Sequence, residues 1–144
     1  MLKRYFDIVL IVSTMPIWAP VLGAVALLVR ATIGPPVFFK QARGGLNGSV
    51  IQVLKFRTMT NERDAEGALL PDAQRLTKVG LFLRRSSLDE LPSLLGVLRG
   101  ELSLVGPRPL IADYLPLYSR EQSRRHELKP GITGWAQVNG RNAI

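Results

Sequence analysis

The stretch "IVLIVSTMPIWAPVLGAVALLV", residues 8–29, runs for 22 residues without a charge between Asp7 and Arg30. As one straight helix it would be about 33 Å long at roughly 1.5 Å per residue, enough for a hydrocarbon core of about 30 Å. A core helix of a soluble protein is rarely so long and so uniformly apolar. Lys3 and Arg4 before the run, and Ala24-Val25-Ala26 within it, also resemble a signal peptide. Against that, the run is longer than a usual signal core and continues through Leu27, Leu28 and Val29. Pro16 and Pro20 bear on whether the segment crosses a bilayer or returns. Each removes a backbone donor and presses its ring on the preceding turn, so a kink or break is expected near residues 16 to 20. Two arms of about 10 residues, each about 15 Å long, can dip into one leaflet and come back. Lys3 and Arg4 precede the run, and Arg30, Lys40 and Arg43 follow it. Basic residues favour the cytoplasmic side, so two basic flanks fit a re-entrant hairpin better than a crossing. Ser13 and Thr14 are the nearest hydroxyls for carbonyls freed at a break. A kinked helix that still spans remains the open alternative.

Beyond this segment the chain has the composition of one compact domain. Its 144 residues carry 19 Lys and Arg against 11 Asp and Glu, a net charge of +8. That balance suits an acidic membrane surface, nucleic acid or a small anionic substrate such as a nucleotide. The absence of cysteine excludes disulfides, thiolate zinc sites and a cysteine nucleophile. With one histidine, His126, a histidine metal cage or a Ser-His-Asp triad is not expected. Chemistry has to come from carboxylates, arginine, lysine and backbone, with or without a bound cation.

The expected fold class is α+β: a compact helix-rich domain with a short β-hairpin and an N-terminal re-entrant membrane segment. Residues 1–33 are expected to form the membrane segment and 34–144 a cytosolic-facing domain, which would carry any chemistry. Val37 to Phe39 and Val50 to Phe56 are rich in strand formers, and Asn47-Gly48 is a strong turn signal between them. Residues 60–75 read as a charged, solvated loop. Leu91, Leu94, Leu95 and Leu98 recur at the spacing of a buried helix face, and Gly100 is a natural stop. Asp89 as N-cap would set Pro92 in the first turn, where its missing donor costs little. Leu102 and Leu104 alternate as in a short strand before the stiff turn Gly106-Pro107-Arg108-Pro109. Ser119 and Gln122 form a capping box for a further helix that Lys129-Pro130-Gly131 ends.

Asp89-Glu90 is the candidate carboxylate pair. Acids at a helix N-terminus can simply complement its dipole, which is the plain structural reading. Around them in sequence lie Arg84, Arg85, Arg99 and Arg108, while Lys55 and Arg57 end the second strand. Carboxylates beside arginines suit magnesium and phosphate together, oxygen ligands for a hard cation and guanidinium forks for the anion. An aspartate carboxylate can also attack phosphorus to give an aspartyl-phosphate ester. Pro107 and Pro109 restrict the backbone around Arg108, either to present its fork or merely as a rigid turn. His126, among Arg124, Arg125 and Glu127, reads as a surface residue. Trp135 with Gln137, Asn139, Arg141 and Asn142 can stack on and hydrogen-bond a nucleobase, or pack a glycine-rich loop.

"KFRTM", "SLDELP", "LSLVGPRPL", "YLPLY" and "KPGITGWAQVNGRNAI", in this order after an apolar N-terminus, resemble the bacterial sugar transferase family. These are small monotopic phosphoglycosyl transferases that begin glycoconjugate assembly on polyprenol phosphate. The resemblance covers essentially the whole chain and is most specific from Arg84 to Ile144. It implies transfer of a phospho-sugar from a UDP-sugar to a polyprenol phosphate of the undecaprenyl type, with Mg2+ and release of UMP. The site would lie on the cytoplasmic face of the bacterial inner membrane. The family's Asp-Glu dyad falls on Asp89 and Glu90, which would also serve as metal ligands, with Asp89 the nucleophile of a covalent intermediate. Its Pro-Arg-Pro falls on Pro107, Arg108 and Pro109, and its re-entrant helix on the opening run with Pro16 and Pro20. Arg84, Arg108, Lys55, Arg57, Gln137 and Arg141 are the expected substrate contacts. Small members often break the membrane helix at Ser-Pro, where this chain has Ala19-Pro20. The family usually continues past the last motif, so the catalytic part is expected to be truncated at its C-terminus. A basic membrane-anchored module for nucleic acid or anionic lipid is the alternative. It explains the charge but not acids and arginines clustered with rigid prolines, and no nucleic-acid-binding signature supports it.

Overall fold

The computed structural model describes residues 2–140. The described chain is α+β and helix-rich. Helix α1 (Leu2–Thr32) leads to a hairpin of β1 (Phe38–Gly44) and β2 (Val50–Phe56). Short helices follow: α2 (Asp72–Arg75), α3 (Lys78–Ser86) and α4 (Leu94–Arg99). Strand β3 (Ser103–Val105), helix α5 (Arg120–Ser123), strand β4 (Gly131–Thr133) and helix α6 (Trp135–Val138) complete the order.

Helix α1 is 31 residues long and helical throughout, Pro16 and Pro20 included. Only 11% of its most apolar 18-residue window is buried. It is long and apolar enough to cross a membrane. The ring of each proline leaves the carbonyl four residues earlier without its helical donor, here those of Val12 and Pro16. Ser13 and Thr14 do not serve them. Their hydroxyls donate to Leu10 O at 3.1 and 2.6 Å, as such side chains do when they bond back along their own helix.

The hairpin forms where the sequence places it. Asn47 (φ 55°, ψ 29°) and Gly48 (φ 75°) both take the left-handed backbone that an Asn-Gly pair tolerates. The first strand starts at Phe38 and runs on to Gly44, further than its run of strand formers.

Two compact units divide the chain. One comprises residues 16–39 and 55–92. Its core gathers Val25 and Val29 of α1 with Phe56 and Leu83, packed by Leu22, Ala26, Ile33, Val37, Val79, Leu88 and Leu91. Full burial of each large apolar side chain contributes about 1.5–3 kcal/mol, which ties the C-terminal arm of α1 to this core. Thr77 caps α3 by accepting from Gly80 N at 2.9 Å. A Cβ at Gly80 would lie 1.9 Å from Thr58 O, so only glycine lets α3 approach so closely.

The other unit comprises residues 1–15, 40–54 and 93–144. Here β3 and β4 pair in parallel, Ser103 opposite Gly131 and Val105 opposite Thr133. The first turns of α1 are fastened within this unit by polar contacts. Arg4 donates to the carbonyls of Val97 and Leu98, which end α4. Asp7, 3% exposed, accepts from Ser103 Oγ at 2.7 Å, and Lys3 donates to the same hydroxyl.

Several expectations need correction: residues 72–75 of the expected loop form α2, and α1 is not broken at residues 16 to 20. No α-helix starts with Asp89 as N-cap: residues Leu88–Ser93 form a 3-10 helix, and α4 begins only at Leu94. In an α-helix containing Leu88 the Pro92 ring would meet the Leu88 carbonyl, and the tighter turn avoids this. His126 is also not a surface residue. The Ser119–Gln122 capping box is present, but after α5 the chain tightens to a 3-10 turn over Arg124–Glu127. His126 is thereby buried, its Nδ1 donating to Gly45 O at 3.0 Å. It fits because Gly44 has no side chain: a Cβ there would lie 2.7 Å from the ring.

Candidate active site

Within the unit of residues 16–39 and 55–92, four expected residues come together: Lys55, Arg84, Asp89 and Glu90. Helix α3 ends with Ser87 in the left-handed region (φ 58°). Its carbonyl accepts Glu90 N at 3.1 Å, which starts the 3-10 turn that carries both acids. Lys55, near the end of β2, places Nζ 2.8 Å from Glu90 Oε1, and both side chains are four-fifths covered (18% and 19% exposed). Arg84 donates through Nε to Thr58 Oγ1 at 3.0 Å, a buried hydroxyl that holds its guanidinium.

Asp89 is half-buried, and burial raises its carboxyl above the ordinary value of 3.8. Lys55 opposes that rise, Glu90 adds to it, and Arg84 and the residue's own backbone amide oppose it more weakly. The result is an acid made more basic by desolvation, with cations close enough to favour its charge. Such a group suits nucleophilic attack, proton transfer or cation binding.

Arg57 is engaged with backbone: Nε donates to Met59 O at 2.8 Å and Nη1 to Pro35 O at 2.6 Å. Arg108 and Gln137 belong to the other unit. No hydrogen bond or ion pair engages the Arg108 guanidinium among the described residues. Pro107 O accepts Gly131 N, and Pro109 O accepts Arg43 Nη1. The Gln137 amide is buried with neither Oε1 nor Nε2 bonded. Trp135, 83% exposed, does not pack a loop. Arg141 lies outside the described residues.

A family model for bacterial sugar transferases matches residues 1–144. The chain belongs to the bacterial sugar transferase family. A sugar transferase of Bacillus subtilis, EpsL, is 59% identical over 99% of this chain and 71% of its own length. The UDP-glucose:undecaprenyl-phosphate glucose-1-phosphate transferase of Escherichia coli is 46% identical over 97% of this chain. The exopolysaccharide production protein PSS of Rhizobium leguminosarum is 41% identical over 96% of this chain and 74% of its own length. The chain spans 31% of the Escherichia coli relative, so it matches only part of that protein.

In this family member the acids of the 3-10 turn are oxygen donors of the kind a hard cation takes. Asp89 and Glu90 offer adjacent, partly exposed carboxylates, and no cluster of three or more metal-binding side chains occurs among the described residues. Magnesium is commonly held by one or two carboxylates plus substrate phosphates, so the residues present fit it. Sequence reasoning gave no role to Thr58, although it lies within the "KFRTM" that was singled out. It read Arg43 only as a basic flank and Arg125 only as a neighbour of His126, because their contacts are with distant backbone carbonyls and leave no local pattern.

Proposed function

We propose that this sugar transferase moves a sugar-1-phosphate from a UDP-sugar to a membrane polyprenol phosphate of the undecaprenyl type, releasing UMP. The observation that carries the reading is Asp89: a carboxyl raised by burial, beside an acid paired with Lys55 and within reach of the Arg84 charge. The names of the Escherichia coli relative and of a Caulobacter vibrioides relative, 43% identical, support UDP-glucose and undecaprenyl phosphate as donor and acceptor.

In the proposed reaction a carboxylate oxygen of Asp89 attacks the sugar-bearing phosphorus, and the bond to the UMP oxygen breaks. The polyprenol phosphate oxygen then attacks the phosphorus of the aspartyl ester. The lipid diphosphate sugar leaves, and the Asp89 carboxylate is restored. Desolvation makes the carboxylate more reactive, while Lys55 and Arg84 favour its charged form. Asp89 and Glu90 would hold magnesium, which when bound neutralises phosphate charge. Arg108 would hold a phosphate group, because its fork matches phosphate oxygens and it has no protein partner among the described residues. The unpaired buried amide of Gln137 supports a polar ligand there, and Arg141 is proposed as a further substrate contact.

The same reading puts α1 in the membrane as a re-entrant segment on the cytoplasmic face of the inner membrane. The N-terminal arm is fastened to Val97, Leu98 and Ser103, and the C-terminal arm packs with Leu88 and Leu91. Basic residues on both flanks of the apolar run and the two prolines within it support this reading.

The test is mass spectrometry of the full-length protein after incubation with UDP-glucose and Mg2+ but no lipid phosphate. A phospho-sugar adduct on Asp89, absent from Asp89→Asn, is the expected result. An adduct on Glu90, or rapid turnover by Asp89→Asn, overturns the assignment.

A further inference from the structure

Four consecutive carbonyls, those of Pro107, Arg108, Pro109 and Leu110, are each held by a separate donor. Gly131 N reaches Pro107 O at 2.9 Å and Gly44 N reaches Leu110 O at 3.0 Å. Between them, Arg125 Nη2 donates to Arg108 O at 3.0 Å and Arg43 Nη1 to Pro109 O at 2.9 Å. Prolines at 107 and 109 have no N–H, so this strap cannot be tied through its own donors at those positions and is held through its carbonyls. The arrangement has a specific mechanical consequence. The peptide planes on both sides of the Arg108 Cα are fixed, one by Gly131 and the other by Arg125. The direction of the Arg108 Cα–Cβ bond is then set, and only side-chain torsions stay free.

Both arginine donors are themselves oriented. Gln41 Oε1 accepts from Arg43 Nε at 3.1 Å and from Nη2 at 2.5 Å. The Arg125 guanidinium lies 5.7 Å from the centre of the Tyr118 ring, a cation–π distance. Tyr118 in turn packs on the buried His126 ring, with centroids 5.4 Å apart. Two braced arginines are thus used on backbone carbonyls around a third whose guanidinium has no hydrogen-bond or ion-pair partner among the described residues. We propose that Arg43 and Arg125 are positioning residues that aim the Arg108 fork at its anionic ligand. The proposal rests on reading Arg108 as a phosphate-holding residue.

A double-mutant cycle in the full-length membrane protein tests it, with transfer from UDP-glucose to undecaprenyl phosphate as the readout. Arg125→Met and Arg43→Met are made in the parent and in Arg108→Ala, with the thermal midpoint of each. In the parent each should lower kcat/KM by about tenfold or more, since small misplacements of a binding group are costly. In Arg108→Ala the same changes should cost less than about twofold, because nothing remains to be aimed. Arg125→Lys, which keeps a donor for the carbonyl, should recover most of the loss. If a Met variant fails to fold, Arg125→Gln and Arg43→Gln, whose shorter side chains lack the guanidinium, are taken through the same cycle with the same expected outcomes. Equal fold-losses in both backgrounds, or no loss in the parent, overturn the positioning role while leaving Arg108 as a ligand. Full activity of Arg108→Ala removes the phosphate reading itself, and the positioning role with it.

Discussion

Replacing Lys55 by methionine removes one cation from the Asp89–Glu90 turn while keeping most of its apolar stem. Lys55 Nζ lies 2.8 Å from Glu90 Oε1, and the two side chains are 18% and 19% exposed. Breaking a fully buried pair costs about 3–5 kcal/mol, whereas an exposed pair contributes about 1 kcal/mol or less. A pair four-fifths covered, discounted for the water that still reaches it, gives about 2 kcal/mol for Lys55→Met. In a protein of this size that is a fall of about 5 °C in the unfolding midpoint. The second readout is catalytic. Lys55 is the strongest influence lowering a carboxyl that burial has raised, so its loss raises Asp89 further. If ionised Asp89 is the reactive form, the acid limb of kcat/KM against pH moves to higher pH in Lys55→Met. Glu90→Gln should move it to lower pH, because Glu90 pushes in the opposite direction. Arg84→Met should move it up, but by less than Lys55→Met. Thermal unfolding and pH–rate profiles of the purified full-length protein read both effects. An unchanged midpoint with an unmoved acid limb would refute the reasoning about this site.

Asp89→Asn should raise the unfolding midpoint at neutral pH, because folding disfavours the ionised carboxyl; the gain should fade as pH falls toward 3.8, where the unfolded carboxyl is itself half-protonated. Arg108→Lys should lose most activity while keeping its unfolding midpoint, since a point charge does not replace a guanidinium fork; unchanged turnover makes Arg108 structural. Single cysteines at Lys3 and Lys40 should react with an impermeant reagent only from the cytoplasmic side, and labelling from opposite faces would establish a spanning helix.

Much of this was legible in the sequence because the signals were local. An uncharged run of 22 residues gives a long helix wherever it lies, and Asn47-Gly48 fixes its own turn. The meeting of Lys55 with Glu90 was also within reach, since Lys55 ends a strand and Glu90 belongs to an acidic turn. What stayed hidden depends on contacts distant in sequence. Burial of His126 needs Gly44 and Gly45, about eighty residues upstream, to leave room and offer a carbonyl. Strand β4 pairs in parallel with β3, so its three residues carry no hairpin signal. Arg57 looked like an anion ligand because it is a cation ending a strand. Its partners are the carbonyls of Pro35 and Met59, which no composition argument reveals.

The chemistry asked of Asp89 imposes two opposed requirements, and the local backbone meets both. A fully hydrated carboxylate is a poor nucleophile toward an anionic phosphate, while a carboxyl buried without cations would stay protonated and could not attack. The left-handed Ser87 and the tight turn over Leu88–Ser93 carry Asp89 at half-burial instead of at the open end of a long helix. Pro92, fully buried, enforces that turn. Burial then supplies the basicity, and Lys55, brought in on β2, counters it before the proton is bound too firmly. The proposed nucleophile therefore depends on the hairpin as much as on its own motif. A variant that keeps "SLDELP" intact but loosens β2 at Lys55 should lose the acid limb of the parent enzyme before it loses the fold.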